Sequence, residues 1–230
     1  MAERLGMKIY IDPSGQENNQ YAGGPIGYND SEEYWMRHIA GPVADKLRLA
    51  GHTVRIGGPN GPAANAKDAN NWGAQRFYSL HTNAGGGHGT ETWYYTGSGV
   101  GRDMAIKIQA TVGAESDQAD RGVKFSTQYI ALNSTRMPAI ICELLFHDNV
   151  TEAAELRRDH DKFVTAIVKG ILAHCGGEVP VTTVEYLEYR IHGLKADKPH
   201  YVAAALAKND TLRCYKTSKN SWQSWPPSNA

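Results

Sequence analysis

Apolar positions along this chain recur with two periods, and blocks of one period alternate with blocks of the other. Residues 7–11 form a short apolar run closed by Asp12-Pro13, which predicts a strand. Trp35, Ile39, Val43 and Leu47 then recur every four residues, after the capping run Asn29-Asp30-Ser31 and up to the stop at Gly51. That spacing predicts a helix with Glu32 in its first turn. Residues 53–56 read as a second strand and 65–73 as a short helix. Phe77, Tyr78 and Leu80 give an apolar run between Gln75-Arg76 and the glycine-rich Asn83-Ala-Gly-Gly-Gly, so a buried strand ends at His81. Residues 91–95 alternate as another strand, and Met104, Ile108 and Val112 share one face of a helix over 100–112. Further strands are expected at 127–132 and 139–144. The second lies in AIICELLF, a continuous apolar run broken only by Glu143, as a central strand buried on both faces would be. Phe163, Ile167 and Ile171 stripe a helix over 151–174. Strands alternating with helices predict an α/β fold, a mostly parallel sheet with helices on both faces.

The pattern stops at Gly176-Gly177-Glu178-Val179-Pro180. Residues 1–176 therefore form the expected main domain, 177–182 a linker, and 183–230 a small C-terminal segment. This segment carries Tyr186, Tyr189, Tyr201, Tyr215, Trp222 and Trp225. Clustered aromatics of this kind serve wall binding, core packing or oligomerisation equally well, so a homo-oligomer formed through this segment is one expectation. Near the other end, residues 14–31 make a long polar, glycine-rich loop, and loops of that length inside a compact domain are usually functional.

Charge and cysteine content narrow the function classes. Lys and Arg total 24 against 24 Asp and Glu, without a basic run, which argues against a nucleic-acid partner. Cys142, Cys175 and Cys214 are odd in number and widely spaced, so neither a disulfide framework nor a thiolate metal site is expected. The N-terminal MAERLGMKIYID lacks the architecture of a secretory signal, and no stretch of about 18 apolar residues is present, so no membrane insertion is expected. The chain reads as a protein made in the cytoplasm.

Candidate chemistry gathers on three residues. Glu143 stands inside an apolar strand, where an ionised carboxylate is costly unless it is paired or bound to a cation. His81 ends its strand where α/β sheets open a crevice for ligands, and Glu32 opens its helix. Each alone is compatible with a structural role. Together, imidazole nitrogen and carboxylate oxygens are what a catalytic zinc takes as ligands while one position stays open for water.

The order of motifs resembles the zinc-dependent N-acetylmuramoyl-L-alanine amidases, a group that includes phage endolysins and bacterial cell-wall hydrolases. The resemblance rests on KIYIDPSGQENN, EEYWMRHIAGPVADKLRLAGHTV, ANNWGAQRFYSLHTNAGGGHGTETWYY, RGVK at Arg121 and MPAIICELLFHDN, five signatures in order over residues 7–175. It implies Glu32 and His81 as Zn2+ ligands and Glu143 as the catalytic carboxylate. It departs from the family at one point: where a family variant carries histidine in Gln-Glu-His-Asn, this chain has Asn18. Asn18 is then the expected third ligand, with an amide oxygen in place of imidazole, and Gln16, His38, His88 and His147 are the substitutes within the chain. Asn83, Arg121 and the loop over 16–28 are the expected substrate contacts.

What the resemblance implies is a peptidoglycan hydrolase. It would cleave the amide between N-acetylmuramic acid and L-alanine by a zinc-activated water, act on the cell wall after release from the cell that makes it, and fit a phage or prophage endolysin. Two other classes stay open from the residues alone. One is a metal-free peptidoglycan-binding module with lost activity; the other is a muramidase using Glu32 and Glu143 as its two carboxylates.

Overall fold

The structure is a computed structural model in which residues 6–178 are described. The expected C-terminal segment and most of the linker before it lie outside those residues. Six strands form one sheet in the order β2-β1-β3-β6-β4-β5. They are β1 (Lys8–Pro13), β2 (Thr53–Ile56), β3 (Arg76–Asn83), β4 (Thr90–Tyr95), β5 (Asp120–Ser126) and β6 (Ala139–Phe146). Strands β2, β1, β3 and β6 run parallel; β4 pairs antiparallel with β6 and parallel with β5. The mixed, mostly parallel α/β sheet expected from the sequence is present.

Each helix starts and stops for local reasons. Helix α1 (Glu32–Leu49) is capped by the Ser31 hydroxyl, which accepts from the Tyr34 N–H at 3.2 Å. Helix α2 (Pro62–Trp72) takes proline in its first turn and ends on left-handed Gly73. Helices α3 (Gly99–Glu115) and α5 (Val150–Cys175) are capped by Ser98 and Asn149. One core joins α1, α3 and α5 to one face of the sheet through residues such as Ile39, Leu47, Ile108, Ile140, Cys142 and Ile167. A smaller cluster of Tyr10, Phe77, Ala139 and Ile141 lies on the other face with α2 and the short helix α4 (Ile130–Asn133).

One expected strand is displaced. Residues 127–129 are a loop and 130–132 belong to α4, and the edge strand is β5, which starts seven residues before the expected one. Ala131 and Leu132 are both buried although adjacent, which a helical turn allows and a strand with one exposed face does not. β5 is DRGVKFS with left-handed Gly122 inside it and no fully buried residue, so its sequence carries no apolar alternation.

Alternation along the strands decides where the site sits. In β6, Ile140, Cys142 and Leu144 face the larger core, which leaves Ala139, Ile141 and Glu143 on the opposite face. His81 is the register partner of Glu143 on β3, and Glu91 is its partner on β4. Three ionisable side chains therefore form one row across three neighbouring strands.

Candidate active site

The backbone brings Glu32 to His81 through a turn in the loop after β1. The Asn19 N–H donates to the Gln16 carbonyl at 3.3 Å, and the Glu32 N–H donates to the Asn19 carbonyl at 2.8 Å. Residues 16 and 19 are the ends of this turn and their side chains reach towards His81 and Glu32, while Glu17 and Asn18 occupy its tip. Asn19 Nδ2 donates to Glu32 Oε2 at 2.7 Å and to Gln16 Oε1 at 2.9 Å. Gln16 Nε2 lies 3.5 Å from His81 Nδ1. The other oxygen, Glu32 Oε1, accepts from the Thr82 N–H at 3.1 Å and lies 3.0 Å from His81 Nδ1. Glu32 is fully buried, and its carboxylate is surrounded by donors.

These contacts set the charges. Burial alone would raise the Glu32 carboxyl, but the His81 bond, the Asn19 amide and the Thr82 N–H outweigh it and hold the group below its ordinary value. For His81 burial works against the cation, yet the Glu32 bond and the field of Glu143 push it up to about 9. Glu143 has no such partners. Burial, with Glu32 and Glu91 adding to it and His81 opposing, pushes its carboxyl up to about 7. Its Oε2 is buried without any hydrogen-bond partner among the described residues.

Glu91, next along the row, is the reverse case. Its Oε1 accepts from Asn83 Nδ2 at 3.0 Å and Trp93 Nε1 at 2.9 Å; its Oε2 accepts from Arg121 Nε and Lys124 Nζ, both at 2.5 Å. Behind His81 a buried chain runs from Asn65 on α2 to Asp12 at 2.7 Å and from Ser79 to Asp12 at 2.7 Å. The glycine-rich loop after β3 is pinned by Asp148, whose Oδ2 accepts from the N–H groups of Gly85 and Gly86 at 2.7 and 2.9 Å.

The sequence pattern of the N-acetylmuramoyl-L-alanine amidases matches residues 9–173. The chain belongs to this amidase family. A sporulation-specific N-acetylmuramoyl-L-alanine amidase of Bacillus subtilis (strain 168) is 36% identical over 106 residues, which is 44% of this chain and 39% of that protein. An endolysin of Bacillus phage SPP1 is 32% identical over 141 residues, covering 58% of this chain and 50% of its own length. The matched region thus spans two fifths to half of these relatives. The catalytic domain of CwlV, an N-acetylmuramoyl-L-alanine amidase from Bacillus (Paenibacillus) polymyxa var. colistinus, superposes with a TM-score of 0.63 at 22% identity, covering 75% of this chain and 99% of that domain. That likeness establishes the amidase fold.

Among the expected site residues, the structure brings Glu32, His81 and Glu143 together, with Asn83 and Arg121 one strand further along on Glu91. It does not bring Asn18 to them. Asn18 is exposed at the tip of the turn, and its side chain makes no hydrogen bond among the described residues. The contacts to His81 and Glu32 are made by Gln16 and Asn19 instead. Asn19 was not anticipated, and only the three-residue spacing of Gln16 and Asn19 in Gln-Glu-Asn-Asn carries a signal for it. The other histidines are spent elsewhere. His38 stacks on Tyr34 and meets His160 between helices, His88 is exposed, and His147 lies on Tyr21 with its Nδ1 3.1 Å from Thr82 Oγ1.

The donor set can be tested against the zinc that the amidase family implies. No group of three His, Cys, Asp or Glu side chains converges among the described residues. Two donors do: His81 Nδ1 and Glu32 Oε1, at 3.0 Å, are separated as two ligands sharing one small cation would be. A cation there would take the place of the proton now shared between them. A third donor is within reach, since either carboxamide of Gln16 and Asn19 can turn its oxygen inward by an amide flip. The residues fit zinc with two strong ligands and one amide oxygen.

Proposed function

We propose that this chain is a zinc-dependent N-acetylmuramoyl-L-alanine amidase of the endolysin type. It hydrolyses the amide between N-acetylmuramic acid and L-alanine in peptidoglycan. Glu32, His81 and the Gln16–Asn19 carboxamide pair, in place of Asn18, would hold the Zn2+. When bound, zinc supplies Lewis-acid polarisation of the carbonyl and a more acidic water.

The chain's own residues do the rest. Glu143 Oε2 accepts a proton from the attacking water as the C–O bond forms, and returns it to the amine nitrogen as the C–N bond breaks. A carboxyl whose affinity for protons lies near neutrality serves both steps. Glu32 stays ionised because the Thr82 N–H keeps donating to it, and its Oε1 fixes the imidazole of His81 beside it. Asn83 and Arg121 contact the substrate from the Glu91 side. In this reading the protein is made in the cytoplasm and acts on the wall after release, and an oligomer formed through residues 183–230 belongs to the same proposal.

The observation that carries the reading is the orphaned Glu143 Oε2 beside the His81–Glu32 pair. It also favours an amidase over a two-carboxylate muramidase. Glu32 is held by the Thr82 N–H and His81 on one oxygen and by Asn19 on the other, so it is tied to the His81 side of the site and is not a carboxylate standing free to act on a sugar. The test is Glu143→Gln. This change keeps shape but cannot accept a proton, so zinc content measured by elemental analysis should stay stoichiometric while release of amino-terminal alanine from walls falls by at least about a hundredfold. Wild-type lysis by this variant sinks the role of Glu143. Wild-type protein that binds no zinc sinks the metal, and new reducing ends in place of free alanine would return the muramidase.

A further inference from the structure

The Glu91 cluster holds more positive charge than its carboxylate needs. Arg121 and Lys124 both bond the same oxygen, Glu91 Oε2, while Asn83 and Trp93 already satisfy Oε1. One cation would neutralise the buried acid; counted over Glu91, Arg121 and Lys124 alone, the second is a surplus positive charge at the rim. Both cations are about one third exposed, at 33% and 31% of their side-chain surface. Both also sit over aromatic rings, the Arg121 guanidinium 5.0 Å from the centre of Phe146 and the Lys124 ammonium 5.4 Å from that of Trp93. Lys124 donates one of its three hydrogens to Glu91, and Arg121 uses Nε there and Nη1 on the His88 carbonyl at 3.4 Å. The Arg121 Nη2 group and the rest of the ammonium stay unengaged among the described residues. Glu91 itself is the direct cross-strand neighbour of Glu143, so this surplus stands one strand from the proposed base.

We infer that Arg121 and Lys124, positioned by Glu91, form a subsite for a free carboxylate on the peptide arm of the substrate. This rests on the amidase reading and gives it a polarity: the acidic peptide lies over β4 and β5, away from the carboxylates of Glu32 and Glu33. Fixed cations with spare donors recognise a carboxylate by charge-assisted hydrogen bonds, and the aromatic rings beneath hold them in place before the ligand arrives. Glu91 is a positioning residue here; it touches the cations and not the ligand.

The probes are N-acetylmuramoyl-L-alanyl-D-glutamic acid with its γ-carboxyl blocked as the methylamide, and the same compound with its α-carboxyl amidated as well, so that only the first carries a free carboxylate on its peptide. Each is titrated calorimetrically into the full-length chain. Wild type should bind the acid about tenfold more tightly than the amide, the factor expected for a hydrogen bond to a charged group. Lys124→Gln should cut that preference to threefold or less, and Lys124→Arg should keep it. Equal binding of acid and amide by wild type overturns the subsite, whatever the variants do. So does a full preference in Lys124→Gln. Cleavage is followed separately as released amino-terminal alanine. Acid preference without cleavage overturns the amidase reading and leaves the subsite standing; cleavage without preference does the reverse.

Discussion

Glu91 and Glu143 are the same side chain on facing positions of two strands, and their neighbours push them in opposite directions. Like charges placed directly opposite in a sheet repel, so one of the two must be neutralised or protonated. For Glu91, burial raises the carboxyl but the bonds from Lys124 and Arg121 overcome it and leave the group below its ordinary value. A lowered carboxyl stabilises the fold above its unfolded value near about 4 and loses that contribution as pH falls through the native value. Glu91→Gln should therefore cost roughly 1–3 kcal/mol at pH 7, and the gap between variant and wild type should narrow below about pH 4. Thermal unfolding of both across pH 3 to 7 reads this. A gap that does not change with pH would mean that the cost is packing and not charge. At the loop after β1, Asn19→His should tighten zinc binding by about 10 to 100-fold in a chelator competition, whereas Asn18→His should leave it unchanged. The reverse ranking would put the tip of the turn in the site. Glu143 was legible in the sequence because it is a charge inside an apolar strand, and His81 and Glu32 because they stand at the ends of predicted elements and within the motifs that resemble the amidases. Asn19 and Glu91 were not, because nothing in a run of amides says which one faces inward, and an acid at a strand start looks the same paired or free.

Helices and strands differ in how openly they declare themselves. α1, α3 and α5 were legible because one face of each buries against a sheet and must stay apolar, whereas β5, at the edge, buries no residue fully and left no period to find. Between α3 and α5 the decisive element is a residue without a side chain. A Cβ at Gly170 would come within 2.7 Å of Thr111 Oγ1 and 2.8 Å of the Ile108 Cα. In an open helix Gly→Ala gains about 0.5–1 kcal/mol, but here the two helices would have to move apart. Gly170→Ala should therefore destabilise by roughly 1–3 kcal/mol, lowering the thermal midpoint by about 2–4 °C per kcal/mol. A rise in the midpoint would show that the helices have slack.

At the scale of the molecule, the core formed by the described residues ends before the chain leaves α5. The larger cluster runs from Ile9 to Leu172, and the helix ends with the Gly176 N–H donating to the Leu172 carbonyl at 2.8 Å while His52 Nε2 lies 3.1 Å from the Gly176 carbonyl. A chain ending at Glu178 should unfold cooperatively with a midpoint within a few degrees of the full chain, and should lose mainly affinity for intact walls. Insoluble or non-cooperative material would show that residues 179–230 complete the core. No described helix is long and apolar enough to cross a membrane. The row of His81, Glu143 and Glu91 also bears on how the sheet assembles. A slip of β6 by one residue against β3 and β4 would turn Glu143 into the apolar layer beneath α3 and α5, with no cation to meet it, and would bring Cys142 and Leu144 out in its place. During folding, the misaligned pairing is the one a buried acid makes costly. The residue proposed to move the proton therefore also proofreads the strand that carries it.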